Sequence, residues 1–451
     1  MTSERIQAAL EQATDTETVT TGSGLLDEVD AVFGGAFGDA RAIIVADEHT
    51  WRAAGKRVHS VMQAAGRSLE ESSVLPGEPV LYAEYGNIET LRDALRGHDA
   101  IPVAAGAGTL NDIVKRAASE VERPYMVVGT AASMDGYTSY GAAITKDGYK
   151  QTLSCPAPRV VLADLDVLTR APAEMTRAGY ADLLAKVPAG ADWIVADALE
   201  VEAIDERVWP LVQGPLREAT SRPAELAAGD PAAMDALIEG LMMAGLAMQV
   251  ASSSRPASGA EHYFSHLWEL EGLAHGADGG PPPSHGYKVG IGSISIAAFY
   301  ERLLERDLTA IDVDAVRAAW PTWTQVEQAV RATHHTPGLD EAAVKESRAK
   351  YIDADALAAR LELLRARWPG LRDRLRDQIM TPAELSGRLE AAGCPTKPAQ
   401  IGLSMKDLRS TYTRARMIRS RYTVLDLAYE AGILEEVVDE LFAPGGYWFT
   451  G

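Results

Sequence analysis

The sequence predicts an α/β domain over residues 1–170 and an all-α domain over residues 171–451. Two observations carry that division. From about residue 40, short apolar runs bounded by turns alternate with helical stretches, and the last such run is at residues 160–162. Beyond it, β-branched runs become scarce, and from Ala310 onward Ala, Leu, Arg and Glu recur at helical spacing. Strands buried on both faces and separated by helices imply a parallel sheet with crossover connections.

Residues 42–46 (AIIVA) read as the first buried strand, followed by a helix over about 51–65. Residues 79–83 (PVLYA) read as a second strand, followed by an amphipathic helix over 88–96. Residues 101–105 form the third strand, 109–119 a helix, and 125–128 the fourth strand. In the second domain, Asp230 followed by Pro231 marks a helix start, an N-cap with proline at the first helical position. That helix runs to about Val250. Ser258-Gly259-Ala260-Glu261 has capping-box spacing and opens another helix. The Gly/Pro loop at 276–283 leads into a helix beginning near Ser284. No repeat of fixed period is present.

The chain has 451 residues, 47% of them hydrophobic and 24% charged, which is globular composition. Its formal net charge is −21, so phosphate backbones and anionic membrane surfaces repel it; no nucleic-acid partner is expected. The two cysteines, Cys155 and Cys394, exclude a disulfide framework or a cysteine-rich zinc module and fit a reducing compartment. The first residues lack the basic start and apolar run of a secretory signal. The longest apolar run, 237–251, is interrupted by Glu239 and Gln249 and is too short to span a bilayer. No membrane insertion and a cytoplasmic location are expected.

Four of the nine histidines fall between 262 and 285. His262 and His266 are four apart and share a helix face. The capping box puts His262 in a first turn, and His285 begins the next helix. Two imidazoles from adjacent helix starts can converge on one ion. Zinc and its neighbours take imidazole nitrogen with carboxylate oxygen, leaving a position for water or substrate. Asp182, four before Lys186 in an apolar helical segment, offers a carboxylate. Two plainer readings stand beside this one. The histidines can cap and pack helix ends, and Asp182 with Lys186 can be a surface ion pair of little energetic worth.

Ala105-Gly106-Ala107-Gly108-Thr109-Leu110-Asn111-Asp112 follows a strand and opens a helix. Glycines there let backbone approach a pyrophosphate, and the helix N-terminus supplies free N–H donors and positive dipole. The third glycine of the dinucleotide fingerprint is replaced by Asn111, and a bare G-x-G also serves as a tight turn. Asp47, ending the first strand, can bond a nucleotide ribose or simply cap a helix. The stretch from Thr130 to Gly136, with Ser133 and Asp135, follows the fourth strand and suits a polar crevice. A polar turn is the alternative there.

Together these segments resemble the sn-glycerol-1-phosphate dehydrogenases, in the superfamily of glycerol dehydrogenase, iron-type alcohol dehydrogenases and dehydroquinate synthase. The stretches that carry the resemblance are GAGTLNDIVK (106–115), TAASMDGYTSYGAAI (130–144), VVLADLDVL (160–168), GYADLLAK (179–186) with Asp192-Trp193, SSSRPASGAEHYFSH (252–266) and SHGYKVGIG (284–292). They occur in family order from about residue 40 to 435. The segment RSRYTVLDLAYEAGIL near the C-terminus looks like the bacterial branch.

The resemblance implies a Rossmann-like nucleotide-binding domain, then a helical metal-binding domain of dehydroquinate synthase type. It implies a zinc or nickel ion on Asp182, His262 and His285. It implies NAD(H) or NADP(H), with Gly106, Gly108, Thr109 and Asp112 at the pyrophosphate and Asp47 near the adenosine ribose. Thr130 and Ser139 fall beside the nicotinamide half, and Ser133 is a further cofactor-binding candidate. Asp135 matches the substrate-binding acid, and His266 a position near substrate suited to a proton relay. The phosphorylated substrate must meet local positive charge in so acidic a protein, from the metal, helix N-termini, and Lys186 or Lys288. A homodimer or higher homo-oligomer is implied as well.

Two departures stand out. Gly129-Thr130 replaces the superfamily's usual Pro-Thr, and Ala107 sits where glycine is common. Excess length in the C-terminal helical part bears on the pocket mouth and so on substrate identity. The expected reaction is reduction of dihydroxyacetone phosphate to sn-glycerol-1-phosphate. The competing readings keep the superfamily but change the substrate, to another polyol or sugar phosphate, or make the chain a dehydroquinate synthase-like cyclase.

Overall fold

The computed structural model describes residues 3–78, 80–146, 149–275 and 282–449. Among the described residues there are eight strands: β1 (Thr18–Gly22), β2 (Ala42–Asp47), β3 (Ser73–Leu75), β4 (Ile101–Gly106), β5 (Met126–Gly129), β6 (Ala142–Lys146), β7 (Tyr149–Leu153) and β8 (Val160–Asp164). Six of them form one sheet in the order β1-β8-β5-β4-β2-β3, and every pairing in it is parallel. β6 and β7 form a separate antiparallel pair. All later regular structure among the described residues is helical. The fold is therefore an N-terminal α/β domain with a parallel sheet, followed by a mostly helical C-terminal domain.

The central strands form because their apolar runs are buried on both faces. β2, β4, β5 and β8 are buried along nearly their whole length. On one face Ile44, Val103, Val128 and Leu162 pack with Val29, Phe33, Val58 and Met62. The connectivity then creates a crevice. From β2 the chain goes to β3 on one side and returns to β4 on the other, so the direction of winding reverses between β2 and β4. Ligands of open α/β sheets sit outside the carboxyl ends of the strands at such a point. Here those ends are Asp47 and Gly106.

Several expectations are corrected. Residues 80–83 are not a strand: Val80 and Tyr82 are exposed, and the strand beside β2 is the shorter β3; Pro79 lies outside the described residues. β1, β6 and β7 were not expected. The helix over Pro231–Ala251 is capped as expected, with the Asp230 carboxylate accepting from Ala233 N at 2.8 Å. Among the described residues it is the one helix long and apolar enough to cross a membrane, and 78% of that stretch is buried inside the protein. The 276–283 loop lies mostly outside the described residues.

Contacts group the chain into two compact units, residues 1–183 with 207–256, and residues 184–206 with 257–451. A cut at residue 170 marks where strands end, but the helices of 207–256 belong with the sheet. Gln249 shows why. Its buried amide accepts from Asp15 N and Thr16 N and donates to Thr138 O, tying that helix to both ends of the α/β unit.

Candidate functional site

In the sheet-containing unit, Asp47, Gly106, Gly108, Thr109 and Thr130 gather at the carboxyl edge of β2, β4 and β5. Gly106 is paired in register with Gly129, and Thr130 N donates to Gly106 O at 3.2 Å. The helix Gly108–Glu120 starts directly after β4. Its N-cap is Ala107, which has no side chain to cap with, so no side-chain bond takes its first-turn N–H groups. That leaves a positive helix end at the switch point. Gly106 itself is required by packing, since a Cβ there would collide with Leu110. Asp47 does cap a helix: its Oδ1 accepts from His49 N and Thr50 N, each at 2.8 Å.

Asp112 and Ser139 have protein partners of their own. The Asp112 carboxylate accepts from Ala143 N at 3.1 Å and lies 3.6 Å from Lys115 Nζ. Ser139 Oγ donates to Gly136 O at 3.0 Å. Both belong to the scaffold around Lys115, a residue the sequence reading missed. Lys115 is 1% exposed. Its ammonium donates to the carbonyls of Gly136, Ser139 and Gly141 at 2.9–3.0 Å.

Those carbonyls belong to the loop that carries Asp135, and glycines let helices close on it. A Cβ on Gly179 would strike Ala132 O, and one on Gly245 would strike Thr138 Oγ1. Thus held, the loop aims Asp135 N at Asp182 Oδ2, 3.1 Å away. Ser133 lies in the same loop, partly buried. Asp182 is 1% exposed and Lys186, the first residue of the helix Lys186–Ala198, is fully buried. The surface ion-pair reading of these two is therefore overturned.

In the helical unit, the helices Ala260–Glu271 and His285–Leu304 pack closely because Gly292 faces the Glu261 backbone; a Cβ there would lie 2.5 Å from Glu261 O. His262 in one first turn and His285 in the other thereby come to 5.4 Å between ring centroids. The capping box at Ser258 does not form. The N-cap is Gly259, Ser258 Oγ accepts from Arg421, and Asp192 Oδ2 accepts from Ala260 N at 2.7 Å instead. Asp192 also accepts from Tyr300 Oη and Val424 N, at 2.6 and 2.9 Å. Burial, then the neighbouring Glu261 charge, push its carboxyl up to about 7.

Each histidine has a carboxylate behind it. Glu261 Oε1 lies 2.8 Å from His262 Nδ1. Glu269 Oε1 lies 3.3 Å from His285 Nδ1, with Ser265 Oγ 3.2 Å from the same nitrogen. A carboxylate can only accept, so Nδ1 carries the proton and Nε2 keeps its lone pair. Glu269 also takes Lys288 Nζ at 2.9 Å, so Lys288 is engaged inside the protein. The His266 ring is 5.8 Å from that of His285. Burial lowers its pKa, although 26% of the side chain remains exposed. His262 and His285 each leave Nε2 for a ligand, and the carboxylate of Asp182 is the third residue type that the sequence sets beside them. The residue types and their engaged second atoms fit a divalent ion. Of the supporting acids, Glu261 was read only as a capping-box residue, and Glu269 lies outside every stretch that carried the resemblance.

Residues 20–172 match the iron-containing alcohol dehydrogenase family. A glycerol-1-phosphate dehydrogenase, NAD(P)+, from Halalkalibacterium halodurans is 37% identical over 57% of this chain, an alignment that spans 64% of that relative. The protein of the same name from Methanosarcina mazei is 31% identical over 61% of this chain and 74% of its own length. Among solved structures, glycerol dehydrogenase from Schizosaccharomyces pombe shares the fold, with a TM-score of 0.58 at 15% identity over 95% of this chain and 91% of that one. The iron-type match, the glycine-opened helix after β4 and the identity to these relatives agree: the chain belongs to the glycerol-1-phosphate dehydrogenase family of the iron-containing alcohol dehydrogenases.

Proposed function

We propose that this chain is an NAD(P)-dependent dehydrogenase that reduces dihydroxyacetone phosphate to sn-glycerol-1-phosphate, with one zinc or nickel ion per subunit. The observation that carries the reading is the pair His262 and His285, 5.4 Å apart between ring centroids, each with a carboxylate at its Nδ1. The name of the relatives supports the substrate. When bound, the ion would polarise the ketone as a Lewis acid and the reduced nicotinamide would supply hydride.

The chain's own residues do the rest. Asp182, His262 and His285 hold the ion, and Glu261 and Glu269 fix the two imidazoles in the Nδ1–H tautomer. The uncapped helix end at Gly108 and Thr109 receives the pyrophosphate, with Gly106 beneath it. Asp47 has Oδ2 to offer a ribose hydroxyl. Thr130 and Ser133 border the nicotinamide half. Asp135 orients the substrate hydroxyl, and Lys186 takes its phosphate. His266, one turn after His262, passes the proton to the new alcohol; a neutral imidazole has one N–H and one lone pair to do so. Asp112 and Ser139 act indirectly, by holding the loop.

Chelator-stripped protein, assayed for loss of nicotinamide absorbance with dihydroxyacetone phosphate, tests the proposal. Activity restored by zinc or nickel, with the sn-1 phosphate as product, is the expected result. Equal or better turnover of free dihydroxyacetone would overturn the phosphorylated substrate. Product formation without net nicotinamide oxidation would point to a cyclase.

A further inference from the structure

A phosphate monoester carries a charge of about −1.5 to −2 at neutral pH. In the reading above Lys186 supplies one cation, and Lys288 is engaged by Glu269, 2.9 Å away. The helical unit holds a further cation near the histidines. Arg419 follows the 3-10 turn Ala415–Ile418, which packs on the helix Ala260–Glu271. Arg421, two residues on, fastens this segment to the start of that helix. Its guanidinium donates to Ser258 O at 2.7 Å, and its carbonyl accepts from Tyr263 Oη at 3.0 Å. Tyr263 and His266 are three apart and share a helix face, so the segment passes on the His266 side.

Arg419 differs from the arginines around it. Arg414 pairs with Glu271, Arg416 stacks over Tyr429, and Arg421 is held by Ser258. Among the described residues Arg419 forms no ion pair, and its guanidinium donates to one acceptor, the neighbouring Ile418 O at 3.1 Å. The side chain is partly exposed, and most of its N–H donors are open to a ligand. Its charge reaches His266: burial is the main cause of the low His266 pKa, and Arg419 adds to it. Glu269, the acid beside His266, already meets His285 and Lys288.

We propose that Arg419 binds the substrate phosphate beside His266, as the second cation on that dianion, and so selects a phosphorylated ketone over a free one. The assignment rests on the dehydrogenase reading above and names a residue that determines its specificity. A guanidinium fork takes two phosphate oxygens at once, where an ammonium acts as a point charge. The assignment also gives the C-terminal part of the chain a share in substrate choice.

Dihydroxyacetone phosphate titrated calorimetrically into the full chain, metal-loaded and saturated with oxidised nicotinamide so that no turnover occurs, reads this contact directly. Arg419→Gln should weaken binding about 10–100-fold, as for loss of a charged hydrogen bond. Arg419→Lys, which keeps the charge without the fork, should fall between, and it decides the matter if Arg419→Gln does not fold. In steady-state assays the ratio of kcat/KM for dihydroxyacetone phosphate to that for free dihydroxyacetone should drop by a similar factor. A wild type that prefers the phosphorylated ketone, with affinity and ratio unchanged in Arg419→Gln, would overturn the role of Arg419 alone. Equal loss for both ketones would also overturn it, showing a structural residue. A wild type without that preference would overturn the phosphorylated substrate, and Arg419 as its partner, before any variant is made.

Discussion

Glu269 spans two imidazoles: its Oε1 lies 3.3 Å from His285 Nδ1 and its Oε2 3.8 Å from His266 Nδ1. A carboxylate behind a ligating histidine fixes ring and tautomer and raises the basicity of the nitrogen facing the ion. Glu269→Gln should therefore lower zinc affinity about 10–100-fold, read by competition with a chromogenic chelator and independent of turnover. Unchanged affinity would show that Ser265 Oγ alone suffices to orient His285.

Lys115 holds the Asp135 loop through three carbonyls, so it should matter to stability before it matters to chemistry. Lys115→Met leaves those carbonyls and Asp112 buried without their cation. A loss of about 3 kcal/mol is expected, measured as a shift in urea midpoint. Because the loop also carries the amide that bonds Asp182, zinc affinity should fall in the same variant. Stability lost with zinc affinity intact would separate the clamp from the metal site.

What was legible in the sequence was what local pattern encodes. β2, β4, β5 and β8 stood out as apolar runs because both their faces are buried. β1 escaped because its run, Thr-Val-Thr-Thr-Gly, has a single apolar residue, Val19; its place at the sheet edge is set by pairing with β8. β3 escaped because it is three residues long with Val74 exposed, and the more apolar segment at 80–83 drew the assignment instead. The candidate ligands Asp182, His262 and His285 were picked out by motif and resemblance together. Their support was not: Glu269 reaches His285 across 16 positions and Lys115 reaches Gly141 across 26. Ser258 misled for the same reason, since the acid that caps the His262 helix is Asp192, 68 residues earlier.

Asp192 gives a pH dependence with a definite sign. Its folded carboxyl titrates at about 7, against an ordinary value of about 3.9 in the unfolded chain. Between those values the folded state holds a proton that the unfolded state has released. Its contribution to stability therefore falls as pH rises from about 4 to about 7, and is level above that. Asp192→Asn removes the titration, so the difference in urea midpoint between wild type and variant should shrink as pH rises from 5 to 8. A difference independent of pH would mean that Asp192 is ionised throughout.

Lys186 is the sharpest test of where the substrate phosphate goes. It is fully buried, and a buried ammonium is costly to keep unless it meets negative charge. If that charge includes the phosphate, truncation must act on phosphorylated substrate alone. Lys186→Ala should raise KM for dihydroxyacetone phosphate about 10–100-fold, as for loss of a charged hydrogen bond, while free dihydroxyacetone is turned over as before. Retained zinc content and melting temperature would show that the variant is folded. If both ketones lose equally, Lys186 supports the fold around Asp182 and the phosphate is bound elsewhere. If neither changes, no phosphate contact exists at this position, and the helix end at Gly108 becomes the next place to look.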